Sequence, residues 1–325
     1  MAFSKSTLTG IGSNITKQHH GIFLGFMTIL CWSGYNVAAK HGIDAGLSAH
    51  VVAFMRFAVP GLVALPVLTA LHMRCKTVGI SVRRLAALTL FGGPVFGLCA
   101  VSGYIYAPLT HGLLFASVAV FITGSILGHV LLQESVCSGR LVGVALMFVS
   151  LATLVGLDFD GQGAKWGRGA VLFIMAGMMW GVYTVLLRLW QIPMVEGTVT
   201  VASSSAIIAV PVLGLAASET LLTAHPSALA VQFVMQGLIG GVLSVVALIG
   251  AVRTLPVHVA ALLPVFTPVV GLAIASALFG TLPNLAEILS VAIIAAGFVI
   301  STGMTSRKEW SKPQTVTVQS FETAR

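Results

Sequence analysis

Ten stretches of nearly unbroken apolar residues run along the chain, separated by short polar gaps: Gly21–Ala39, Ala49–His72, Leu85–Tyr106, Leu109–Leu132, Leu141–Leu157, Gly169–Leu187, Gly197–Ala217, Ala228–Val252, Pro256–Gly280 and Leu285–Thr302. A helix rises about 1.5 Å per residue, so roughly 20 apolar residues cross a 30 Å hydrocarbon layer. The pattern therefore predicts an all-α membrane protein of ten transmembrane helices. Gaps such as Ala107–Pro108 and Ser135–Arg140 make consecutive helices antiparallel neighbours and leave no room for a soluble domain between them. Residues 1–20 and 305–325 read as polar tails, the second of them expected to be disordered from Arg307 to Arg325. No small-residue cleavage pattern follows the first stretch, so it is expected to remain as a span.

Composition strengthens this reading. Of 325 residues, 57% are hydrophobic and only 8% charged, with a mean hydropathy of +1.01. A soluble domain needs about a quarter charged residues to coat its surface, so the apolar surplus has to face lipid. The net charge of +8 does not point to nucleic acid, because the basic residues are scattered through the gaps rather than gathered in a patch. With the N-terminus inside, thirteen of the 17 Lys and Arg residues fall on the inner side, among them Lys5, Lys17, Arg74, Lys76, Arg83, Arg84, Arg140, Arg188 and Arg253, while Lys40, Lys165 and Arg168 fall outside. That asymmetry predicts two cytoplasmic termini, since basic flanks resist translocation; the expected location is the cell's inner (plasma) membrane. Cys31, Cys75, Cys99 and Cys137 have neither paired nor metal-like spacing and read as free thiols.

The two halves of the chain echo each other. Gly21, Trp32, Tyr35 and Lys40 match Gly169, Trp180, Tyr183 and Arg188 at an offset of 148, and His111 matches His258 at 147. Repeats of five spans are necessarily inverted, because an odd number of crossings reverses direction, and inverted repeats with a site between them are a recurrent plan of secondary transporters. The stretch LCWSGYNVAAKHGI (Leu30–Ile43), the Arg56-Phe57 pair in HVVAFMRFAVPGL, the LLQES sequence ending the fourth stretch at Glu134, and RTLPVHVAALLPVFTPVVGLAIASALFG with Pro264 and Pro268 together resemble EamA-type proteins of the drug/metabolite transporter superfamily. The resemblance covers residues 21–304. It implies two inverted five-helix repeats, 21–157 and 169–304, and export or uptake of amino acids or related metabolites. Two departures stand out: the fourth stretch lacks the Pro often found there, and Thr281 stands where the family commonly has Glu. Gating at those helix ends is expected to differ accordingly.

Arg56 carries the most information, lying about seven positions inside the second stretch and so roughly 10 Å from its end. A permanent cation there needs a polar interior or a partner. Two readings stand side by side: attraction of a substrate carboxylate or phosphate, and a structural Arg that caps carbonyls or snorkels. Ser33, Asn36 and Lys40 form one polar stripe at i, i+3 and i+7, beside Trp32 and Tyr35, which fits a solvated cavity or, for Asn36, a helix-to-helix hydrogen bond. Trp180, Tyr183 and Thr184 offer aromatic walls and a hydroxyl, for a cavity or for packing. Gln232 and Gln236 share a face at i, i+4, and Ser203–Ser205 place hydroxyls in the seventh stretch; interhelical hydrogen bonding is the commoner use of both sets. The substrate-binding candidates are thus Tyr35, Asn36, Arg56, Trp180, Tyr183 and Gln236. Glu134 is expected to cap its helix or to pair with Arg140. His111 and His129 lie on one face but about 27 Å apart, too far to share a metal; each reads first as an interfacial histidine and second as a proton-coupling group.

Enzyme signatures are lacking: no H-E-x-x-H, no Gly-x-Ser-x-Gly elbow and no Gly-rich phosphate loop ending in Lys-Ser/Thr. No catalytic residue, cofactor or metal is expected, and the partners expected are the bilayer, a small-molecule substrate and a coupling proton. Carrier-mediated movement of small metabolites is the leading function. A non-transporting scaffold or sensor is the alternative, and a channel a weaker third, since no ring of charges or filter sequence occurs. The orientation is directly checkable in a cysteine-free background: Gly161→Cys should react with an impermeant maleimide added outside, and Lys76→Cys only after the membrane is opened. The reverse pattern would invert the topology.

Overall fold

The computed structural model describes residues 5–73, 79–134, 136–157, 163–255, 263–280 and 282–301, with the backbone alone for residues 5–18, 157, 163, 164 and 265. Every regular element among them is a helix. In chain order these are α1 (Lys5–Asp44), α2 (Ala49–Met73), α3 (Val82–Gly92), α4 (Pro94–Tyr106), α5 (Leu109–Leu132), α6 (Ser138–Leu157), α7 (Gly163–Leu189), α8 (Met194–Thr223), α9 (Pro226–Gln232), a π-helical stretch (Phe233–Leu243), α10 (Ser244–Thr254), α11 (Leu263–Phe279) and α12 (Leu285–Ser301). Counting α3 with α4, and α9 with the π stretch and α10, eight helices among the described residues are long and apolar enough to cross a membrane. The two remaining apolar helices, at Phe266–Phe279 and Leu285–Ser301, are shorter.

Several boundaries differ from the hydrophobic pattern, each for a local reason. The first helix begins at Lys5 rather than Gly21; no Pro or Gly pair breaks the polar segment, so helical hydrogen bonding simply continues upstream. The third stretch is two helices, because Pro94 has no N–H to give the preceding turn and sits at the first position of α4, with Gly93 as the joint. The ninth stretch was expected from Pro256, but residues 256–262 lie outside the described residues, as do Cys75, His258, Thr281 and the tail from Thr302.

Side chains facing away from the bundle are large and apolar over the spans: Phe23 is 58% exposed, Leu215 76% and Val246 61%. Such a surface is tolerable only in lipid. The interior is built instead from small residues and close approaches. A Cβ on Gly61 of α2 would come within 2.0 Å of the Ala206 Cβ on α8, and one on Gly143 of α6 within 2.4 Å of the Gly297 carbonyl on α12. Gly177 and Gly181 likewise bring α7 against α5, where a Cβ would come within 2.4 Å of the Ala116 carbonyl and 2.8 Å of the Thr123 Cβ. Between lipid-solvated helices no hydrophobic drive remains, so backbone-to-backbone dispersion contacts of this kind hold them together.

The resulting neighbours form a regular scheme. Helix α2 packs along α8, and α6 along α12. Helix α7 packs against α5 and α4, while α1 packs against α11, α10 and the π stretch. The largest buried cluster, with Leu114, Met147, Leu154, Phe173 and Ile294 at its centre, ties α5, α6, α7 and α12 together. A separate cluster of Ala53, Phe57, Ala209 and Leu213 fills the α2–α8 seam. Gly61→Leu should therefore force α2 and α8 apart, costing about 1–3 kcal/mol as overpacking does and lowering the melting temperature of the purified protein. Gly124→Leu, where nothing lies within 4 Å, should leave it near the parent value. Equal melting temperatures for the two variants would show that the seam is not close-packed.

Candidate functional site

Arg56 projects from α2 into the bundle, where its guanidinium carbon stands 4.1 Å from the centre of the Tyr35 ring and 5.9 Å from that of Phe96. Its Nη1 approaches the Gln236 Oε1 at 3.4 Å, a long and weak contact. No described carboxylate pairs with it. Gln236 is fully buried on the π stretch and donates its Nε2 to the Tyr35 carbonyl at 2.7 Å. One turn earlier, Gln232 donates to the Ala38 carbonyl at 2.8 Å. The two amides thus stitch the eighth span to the carbonyl ladder of α1. The π stretch accommodates the approach with glycines: a Cβ on Gly240 would meet the Tyr35 side chain at 3.0 Å, and one on Gly241 the Pro60 ring at 2.0 Å. Stretches of this kind inside α-helices often mark functional positions.

The polar stripe on α1 divides its work. The Asn36 amide donates to the Trp32 carbonyl at 2.8 Å and accepts the buried Tyr104 hydroxyl at 3.0 Å. Ser33 donates to the Thr267 carbonyl of α11 at 3.0 Å. Lys40 reaches Asp44 at 2.6 Å and the Tyr104 carbonyl at 3.2 Å. Trp180 joins the group through its ring contact with Phe96, 5.0 Å between centres. Tyr183 lies behind Trp180, also at 5.0 Å, within a separate cluster of Leu88, Ile192 and Val201. Of the six candidates, Tyr35, Arg56 and Gln236 touch one another, Trp180 reaches them through Phe96, and Asn36 borders them through its own helix and Tyr104. Phe96 and Tyr104 are members the sequence reading missed; each sits in an apolar run, and only Pro94, which starts α4 and sets the direction of both, distinguishes that segment.

The hydroxyls of the seventh span differ in their partners, and the Ser205 Oγ is buried with none among the described residues. Ser203 donates to the Val199 carbonyl in its own helix, while Ser204 and Thr89 share a hydrogen bond of 2.6 Å that joins α8 to α3.

Polar networks close both ends of the bundle. At one end, Glu134 was expected to cap its helix or to pair with Arg140; Arg140 does stand within ion-pair distance, at 3.9 Å, and the nearer partner is Arg188 of α7. The fold brings the end of α7 to the end of α5, which a reading limited to neighbours in sequence misses. His129 there bonds to the Glu134 backbone oxygen at 2.8 Å. With side-chain exposures of 29% for Glu134 and 62% for Arg188, this pairing is worth about 0–1 kcal/mol, weak enough to open and close. At the other end His41 stacks on Phe279 at 4.9 Å, and Thr110 donates to Glu287.

No group of three or more His, Cys, Asp or Glu among the described residues is placed to hold a metal. Cys31, Cys99 and Cys137 are free thiols. No family model matches the chain, and no curated protein matches it. Solved structures do: one, described as "Crystal structure of protein", superposes with a TM-score of 0.57 at 18% identity, over 88% of this chain and 99% of that one. At that identity the likeness concerns the fold alone.

Proposed function

We propose that this chain is an EamA-type secondary transporter that moves small carboxylate-bearing metabolites, such as amino acids, out across the cell's inner membrane by alternating access. In this reading ten spans form two inverted five-helix halves, and both termini are cytoplasmic. The observation that carries the proposal is the setting of Arg56: a permanent cation inside the bundle, held by the face of Tyr35 and an amide oxygen of Gln236 and by no described acid. A cation–π contact contributes about 0.5–2 kcal/mol, whereas an arginine at the centre of a membrane helix costs about 2.5–3.5 kcal/mol on insertion scales. The balance favours an anionic visitor that replaces the weak amide contact with a bidentate one.

The helix neighbours support the inverted halves. Exchanging the first five spans with the last five maps the α5–α7 pair onto α11–α1, maps α4–α7 onto the packing of α10 against α1, and returns α2–α8 and α6–α12 to themselves. The Arg56 group draws Tyr35, Arg56 and Phe96 from one half and Gln236 from the other. A site shared by two halves changes when they move against each other, as alternating access requires.

The test is uptake of radiolabelled amino acids by liposomes containing the purified protein. Arg56→Gln should elute as a monodisperse protein and insert, yet lose at least about tenfold in uptake, in line with loss of a charge-assisted contact of about 1.5–3 kcal/mol. Arg56→Lys should recover part of it, because a point charge cannot reproduce the guanidinium fork. Normal uptake by Arg56→Gln, or its failure to accumulate in the membrane, would make Arg56 neutral or structural. An absence of saturable uptake in the parent would leave the scaffold reading.

A further inference from the structure

His111 lies at the start of α5 with 1% exposure, and among the described residues neither ring nitrogen has a hydrogen-bond partner. Its ring packs against Phe115 at 5.8 Å and Trp166 at 5.0 Å. A buried imidazole without a partner costs free energy and is a poor choice for mere packing. The half-buried Glu287 of α12 reaches the same end of α5, outside hydrogen-bond distance of the His111 ring. The residue next to His111, Thr110, donates its hydroxyl to one Glu287 oxygen. The other oxygen accepts the Asn284 N–H at 3.0 Å, while the Glu287 N–H donates to Asn284 Oδ1 at 2.8 Å, a reciprocal cap that fixes the carboxylate at the mouth of α12.

The charged and titratable groups near the His111 end of the helices around α5 leave Glu287 as the natural counter-ion. Helix α7 brings the exposed Lys165 and Arg168 in its first turns. Helix α4 brings Tyr104, whose ring lies where a Cβ on Gly112 would be, and Tyr106; α1 brings Lys40, already paired with Asp44, and His41, stacked on Phe279. Helix α6 has only Arg140, at its far end, and α11 has no titratable residue.

We propose that His111 and Glu287 form a proton-binding site, and that this proton is the coupling ion of the transporter; the second half of the proposal rests on the transport reading above. In the unprotonated state the imidazole is neutral, the form its apolar surroundings tolerate, and Thr110 holds the carboxylate. A proton arriving from water at that end binds a ring nitrogen, and the new N–H turns the pair into imidazolium and carboxylate, in competition with Thr110. Only an N–H bond is made, and the proton leaves to water on the other side. Because α5 and α12 belong to different halves, loading the proton changes the strength of a seam that must part during transport.

The site can be read without any substrate. A protonated imidazole quenches a neighbouring indole, so tryptophan emission of the full-length protein in liposomes should fall as pH is lowered. That step should vanish in His111→Gln and in Trp166→Phe. In Glu287→Gln its midpoint should drop by about one pH unit or more, because the carboxylate that favours the charged ring is gone. A step that persists in His111→Gln, an unmoved midpoint in Glu287→Gln, or no step between about pH 4 and 9 would overturn the site. If His111→Gln does not give a monodisperse protein, the other two variants decide. In the same liposomes a pH gradient should drive parent protein to accumulate radiolabelled amino acids above equilibrium, whereas His111→Gln should only equilibrate them. Undiminished accumulation by His111→Gln would overturn coupling. Parent liposomes that equilibrate no label would instead overturn the transport reading, with the emission titration still deciding whether the proton site exists.

Discussion

A guanidinium inside a membrane-spanning bundle has to be solvated by something other than water, and the arrangement around Arg56 follows from that demand. Its charge cannot be titrated away. The Tyr35 face, the Phe96 ring and the Gln236 oxygen surround it, yet none of them carries a negative charge. To place those three groups, α1 and α4 have to converge on α2, and the π stretch has to press against α1 until Gln232 and Gln236 reach its carbonyls. The small residues in these contacts serve the same end, since a larger residue at Gly240 or Gly241 would push Gln236 out of reach.

Close packing and weak polar latches divide the structure by mechanical role. The α2–α8 and α6–α12 seams are close contacts at glycine. The two ends are polar: Glu134 with Arg188 and Arg140 at one, and Lys40, Asp44, Thr110 and Glu287 at the other. The ends are chemically unequal. Arg188 finds its acid just past the end of α5, on the other side of the proposed repeat boundary, whereas its sequence match Lys40 pairs with Asp44 one turn along its own helix and reaches the Tyr104 carbonyl.

Much of the architecture was legible in the sequence because lipid imposes length and apolarity directly. The stretch Leu109–Leu132 is α5 to the residue, and Ala49–His72 falls one residue short of α2. The break at Gly93-Pro94 was present in the sequence, but the unbroken apolarity around it hid the joint. The π stretch left no such trace, since its hydrogen-bond register is set by what packs against Gly237, Gly240 and Gly241 rather than by local preference. Within the site, Arg56 and Gln236 announced themselves as polar residues in apolar runs. Phe96 did not, because in sequence it looks like the lipid-facing Phe23 or Phe26. Tyr183 matched Tyr35 in the repeat, yet it lies one ring further from Arg56 than that match implied, behind Trp180. Long-range partners such as Arg188 for Glu134 are a property of helix packing and have no local signature.

The transport proposed above makes one kinetic demand, that substrate on one side speeds movement from the other. Counterflow tests it directly. Liposomes containing the protein and preloaded with unlabelled amino acids, diluted into a trace of the same labelled compounds, should take up label transiently above its equilibrium level and then lose it. A transient overshoot is the result the account predicts. Uptake that rises only to equilibrium, at a rate indifferent to the internal load, would describe a channel and contradict it, and no uptake beyond that of protein-free liposomes would contradict transport altogether.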